Sequence, residues 1–118
     1  MNENLECRVS DLLVKLGCSP ALLGFAYLKE AICICFDDPD SWKGCVTKRL
    51  YPTVASIYSI TTSCVERRMR FCIEQMFDRY SVIKDNFFGG TVCSEKGKPT
   101  NSEFIFMVIE RMKMGYEV

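Results

Sequence analysis

Apolar side chains recur at helical spacing along most of the chain. Leu5, Val9, Leu12, Leu13 and Leu16 share one face and Gly17 follows as a stop, which predicts a helix over residues 5–16. Ser19 as N-cap and Pro20 at the first helical position predict a second helix, running to about Phe36. It is apolar almost all round and is expected to be the central, most buried one. Asp37, Asp38, Pro39, Asp40 and Ser41 form a turn cluster. A third helix is expected over residues 47–58, with Leu50, Val54, Ile57 and Tyr58 on one side. Pro52 lies inside it, so either the helix bends there or its regular part begins near Pro52.

A long helix is expected over residues 63–80. Ser63 and Glu66 have the spacing of a capping box, and Val65, Met69, Cys72, Ile73, Met76 and Tyr80 form a stripe about 80–100° wide at 100° per residue. Residues 85–90 are expected to form one short turn. Thr100 and Glu103 make a second capping box, opening a last helix through Phe104, Met107, Val108 and Met112 to Gly115. No convincing strand pairing is visible, and the fold class is all-α, a compact bundle containing a helix-turn-helix.

Composition narrows the function. The 118 residues are the size of one domain, residues 1–118, and can bury about two-thirds of the unfolded surface. No apolar run reaches the ~20 residues of a membrane span, and the acidic first residues do not read as a signal peptide, so a cytoplasmic protein is the default. There is no histidine, which removes the Ser-His-Asp triad, the Cys-His dyad and His-ligated metals. No metal, cofactor or catalysis is expected. The eight cysteines contain no C-x-x-C pair and mostly sit in apolar runs, so they are read as buried or inert thiols. The net charge is zero, but residues 1–42 carry −4, residues 43–98 carry +5 and residues 99–118 carry −1. A polyanion would therefore meet the middle of the chain.

That middle has the dimensions of a helix-turn-helix. Ala55 is the small residue where two helices cross, Ser59 falls in the turn, and Val65 locks the second helix onto the first. Opposite the apolar stripe stand Glu66, Arg67, Arg70 and Glu74. Arginine there suits guanine O6 and N7, and glutamate suits a cytosine amino group. Arg68 lies to the side, within reach of a phosphate, and Phe71 lies near the polar face. The plainer reading is a solvated helix face with Glu66–Arg70 and Arg70–Glu74 pairs, and Glu66 as a capping glutamate only.

The blocks Tyr27-Leu28-Lys29-Glu30-Ala31-Ile32, Thr47-Lys48-Arg49-Leu50-Tyr51-Pro52, Val65-Glu66-Arg67-Arg68-Met69-Arg70 and Lys98-Pro99-Thr100-Asn101-Ser102-Glu103-Phe104 closely resemble the C-terminal effector domain of the sporulation stage-zero protein A family. The resemblance spans about residues 5–114. It implies a six-helix domain that binds double-stranded DNA at a TGTCGAA-like element, often in tandem copies that a tandem dimer could occupy, and contacts the sigma subunit of RNA polymerase. Glu66, Arg67 and Arg70 match the base-reading positions, and Lys48 and Lys98 match basic positions near the backbone. Ser63, Arg68 and Arg79 complete the expected backbone set. Residues 81–91 correspond to the surface associated with sigma. Cys64 stands where the family commonly has arginine, Phe71 where histidine is expected, and Arg68 where a small residue is usual. Only four residues precede the first helix, so a receiver domain is not expected in this chain. Two competing readings remain: a protein-interaction module that modulates a full-length regulator or polymerase, and a thiol sensor built on Cys64, which neighbours Arg67 and Arg68 at a helix start.

Overall fold

The computed structural model describes residues 3–89 and 97–116. They form seven α-helices: α1 (Glu3–Lys15), α2 (Leu23–Cys35), α3 (Pro39–Trp42), α4 (Tyr51–Tyr58), α5 (Thr62–Phe77), α6 (Val82–Phe88) and α7 (Asn101–Lys113). One π-helical turn, Val46–Leu50, precedes α4, and no strand occurs among the described residues.

The core forms because the helical stripes close on each other. Leu5, Val9, Leu12, Leu13 and Leu16 of the first segment are all buried, as their spacing predicts. The second helix is the hub: α1, α4, α5 and α7 all pack on it. Gly24, Leu28, Ala31 and Ile32 are among its buried residues. An aromatic cluster of Phe77, Phe87, Phe88 and Phe104 joins α5, α6 and α7, with neighbouring ring centroids 5.1–6.3 Å apart.

Several boundaries differ from expectation, each for a local reason. Ser19 and Pro20 do not open α2. The Ser19 hydroxyl accepts from the Ala21 amide and its carbonyl accepts from the Leu22 amide, which closes a turn, and α2 starts at Leu23. The turn cluster after α2 includes the four-residue α3, with Pro39 in its first turn. Residues 82–88 form the full helix α6, with Ser81 as N-cap accepting from the Lys84 amide. The predicted last residue of that turn, Gly90, lies outside the described residues.

Pro52 explains the π turn. Lacking an N–H, it cannot donate back into a continuous helix. The chain widens ahead of it, where the Leu50 amide bonds to Cys45 O, and α4 begins with Pro52 in its first turn. The regular helix thus starts near the proline.

The long helix ends earlier than expected. Asp78 is its C-cap, and Tyr80 lies beyond it, 84% exposed instead of completing the apolar stripe. Lys84 reaches back from α6 and donates to Met76 O and Arg79 O while its ammonium sits over the Phe77 ring. A buried cation there satisfies the last carbonyls and the negative end of the helix dipole. Burial pushes the Lys84 ammonium below the ordinary lysine range, against the pull of Asp85 and Asp78.

Candidate nucleic-acid interface

The chain turns between α4 and α5 at Ser59, which takes a left-handed conformation (φ 56°, ψ 45°). The amides of Ser59 and Ile60 bond back to carbonyls of the last turn of α4, so the helix end stays satisfied. Ala55 and Val65 are both buried, at the crossing and locking positions that the spacing assigns.

The expected Ser63–Glu66 capping box does not form. Thr61 is the N-cap, its hydroxyl accepting from the Cys64 amide at 3.2 Å, and Ser63 lies inside the first turn. This frees Glu66 from capping. Its carboxylate instead takes the Arg70 guanidinium at 2.5 Å, the i,i+4 pair of the plainer reading. Both side chains are partly solvated, and such surface pairs are worth only ~0.3–0.5 kcal/mol. Releasing Arg70 to another acceptor therefore costs little.

On a helical wheel Ser63, Glu66, Arg67, Arg70 and Glu74 share an arc of about 100°. Glu66, Arg70 and Glu74 form one wall of a groove of about 730 Å³. Opposite it stand Lys43, Lys48 of the π turn, Tyr51 at the start of α4, and Lys98 with the residues that lead into α7. The helix-turn-helix, the π turn and the Lys98 loop, far apart in sequence, thus bring Lys48, Glu66, Arg70 and Lys98 together. Lys98 also pairs with Asp78 just past α5. Arg49, beside Lys48, is held over the Trp42 ring at 4.1 Å.

The remaining expected residues are placed differently. Arg67 is exposed next to the groove face and donates to Cys64 Sγ at 3.6 Å. Arg68 points about 200° away from Glu66 on the wheel. It is half-buried and donates to the Tyr27 hydroxyl at 3.0 Å, tying α5 to α2. Arg79 lines a separate depression with Tyr80, Lys84 and Asp85.

Asn101 escaped the sequence reading. It is buried at the first turn of α7, and its Nδ2 donates to Tyr51 Oη at 3.1 Å and to Glu66 O at 3.0 Å. The only signal in the sequence was its place in the Lys98–Phe104 block. The capping box beside it, Thr100 with Glu103, forms as expected.

Among the described residues every cysteine is free. Cys18, Cys33, Cys35 and Cys72 are buried, Cys45 and Cys64 are intermediate, and Cys7 is exposed. Cys93 lies outside the described residues. Burial pushes the Cys33 and Cys35 thiols up to about 11 and about 12. The Thr61 hydroxyl, with Arg68 and Arg67 behind it, holds the Cys64 thiol below the ordinary range. Iodoacetamide should alkylate Cys64 ahead of the four buried thiols, with a pH midpoint below that of free cysteine. Peptide mass mapping across a pH series checks this. A midpoint at or above the free value would remove the thiol-sensor reading.

The fold is that of an all-α helix-turn-helix domain, with outward arginines on its second helix beside a groove. Residues 9–112 match the family model described as sporulation initiation factor Spo0A C terminal. The chain belongs to that family of DNA-binding domains of sporulation regulators. No described helix is long and apolar enough to cross a membrane.

Proposed function

We propose that the chain is a transcriptional regulator that reads a short TGTCGAA-like duplex element with α5 in the major groove. Glu66, Arg67 and Arg70 contact base edges, and Lys48, Ser63 and Lys98 contact phosphates on either side. Arg68 and Arg79 complete the backbone set, Arg68 after leaving the Tyr27 hydroxyl and Arg79 from its own depression apart from the groove. The observation that carries this reading is the single exposed arc of α5 facing a groove rimmed by Lys48 and Lys98. Phosphate contacts supply affinity and position, and base contacts supply sequence preference.

Fluorescence anisotropy on a tandem TGTCGAA duplex and a scrambled one, each at two salt concentrations, tests it. The tandem site should bind more tightly, and affinity should fall steeply with salt. Arg70→Ala should lose about 1–3 kcal/mol on the tandem site and little on the scrambled one. Lys98→Ala should weaken both alike and lower the salt slope by about one. Equal losses on both duplexes for both variants would sink these role assignments.

A second reading has its own observation. Val82 and Ile83 are exposed in the segment that resembles the sigma-contacting surface, and Tyr80, exposed as well, stands just before it. A module working through polymerase or a full-length regulator would use this patch while binding both duplexes weakly and equally.

A further inference from the structure

The polar network behind the groove assigns a role to a residue that touches no ligand. We propose that Asn101 is a positioning residue for base reading, holding the backbone of Glu66 at the register from which the outward face of α5 is presented. The inference rests on the DNA-reading proposal above and deepens it.

Asn101 has two amide hydrogens and the structure uses both, one for Tyr51 Oη and one for Glu66 O. Its partners belong to α4 and α5, the two helices of the helix-turn-helix, while Asn101 itself opens α7. A single side chain therefore ties three helices at the floor of the groove. The capping box of Thr100 and Glu103 fixes the turn from which Asn101 projects. The Tyr51 oxygen accepts this bond through a lone pair, and burial holds the phenol above its ordinary range against the pull of Asn101.

Position matters here because the contacted carbonyl belongs to a base-reading residue. Arg70, one turn on, is paired to the side chain of that same residue. Bidentate base contacts tolerate little displacement, whereas phosphate contacts made by flexible lysines tolerate more. Loosening Glu66 should therefore erode sequence preference before it erodes affinity for DNA in general.

The test compares wild type, Asn101→Ala and Asn101→Leu in three readouts: affinity for tandem and scrambled duplexes, melting temperature, and amide hydrogen exchange of the free protein along α5. The expected result is a preference ratio reduced about five- to tenfold, the worth of one hydrogen bond, with binding to the scrambled duplex nearly unchanged. Exchange should quicken at Arg67–Arg70 but not at Ile73–Met76. A folded variant whose preference ratio is unchanged, or one that loses both duplexes equally, overturns the proposal. If Asn101→Ala does not fold, Asn101→Leu, which keeps the volume and removes both donors, decides by the same ratio. If wild type itself shows no preference, the DNA-reading proposal fails, and exchange alone decides Asn101: selective quickening in the first turns of α5 supports its hold on that helix, and its absence overturns it.

Discussion

Alanine at position 24 should destabilise the fold by about 3 kcal/mol and lower its melting temperature by on the order of 10 °C. Gly24 lies in the first turn of α2 where that helix crosses α5. A Cβ there would overlap the Arg68 carbonyl oxygen, with the Arg68 carbonyl carbon at 2.8 Å and Cys72 Sγ at 2.6 Å. The obstacle is mainly backbone, so no rotamer change relieves it, and the two helices must separate. Alanine's better helix propensity offsets only ~0.5–1 kcal/mol of this. The separation falls on α5 at Arg68, so the strain is delivered to the helix that faces the groove. Gly44 is the control: a Cβ there meets nothing within 4 Å, and Gly44→Ala should stay within ~0.5 kcal/mol of wild type. Thermal melts followed by circular dichroism check both. A Gly24→Ala protein that melts with wild type would mean α2 and α5 can part without cost.

The sequence spoke clearly where short-range rules and burial agreed. The stripe of Leu5, Val9, Leu12, Leu13 and Leu16 became a buried face, and the box of Thr100 and Glu103 closed as written. Ala55, Ser59 and Val65 also took their helix-turn-helix places, because each position constrains side-chain size or backbone shape locally. Legibility failed where two local signals competed. Thr61 and Ser63 are both good N-caps, and it is Thr61 whose hydroxyl accepts from the Cys64 amide. Ser19 and Pro20 favour a helix start equally well as a turn, and the Ser19 hydroxyl closes the turn. It failed more fully where the deciding partner is remote. Lys84 sets the end of α5 from the next helix. Asn101 is 35 residues from Glu66 and 50 from Tyr51, and no periodicity announces such a bond. The candidate site follows the same division. The arc of Glu66, Arg67 and Arg70 is local and was visible, while the groove that brings Lys48 and Lys98 to it depends on the fold. Arg68, expected near a phosphate, is tied to Tyr27 of α2 in the free protein, a partner that the helical wheel does not announce.

Two phenylalanines that look alike in the sequence should behave in opposite ways. Phe104 is fully buried, and its ring lies 6.3 Å from Phe77 and 5.9 Å from Phe88, where α5, α6 and α7 meet. Phe104→Ala removes that ring and leaves a cavity that three helices cannot jointly collapse, so it should cost about 3–5 kcal/mol. Much of the margin of a domain this size lies in that range. Phe71 is 48% exposed on α5. Its ring makes only part of the contact a core residue makes, and Phe71→Ala should move stability by under ~1 kcal/mol. Denaturant unfolding of the two variants checks the contrast, and comparable losses would mean that Phe71 packs in solution more deeply than its exposure indicates. With stability intact, Phe71→Ala also separates the functional readings. Loss of preference at thymine-bearing positions would place the ring against a base methyl in the groove. Unchanged DNA binding with reduced transcriptional output would place it against a protein partner, since a half-exposed ring beside the polar face of this helix contributes little to holding the fold.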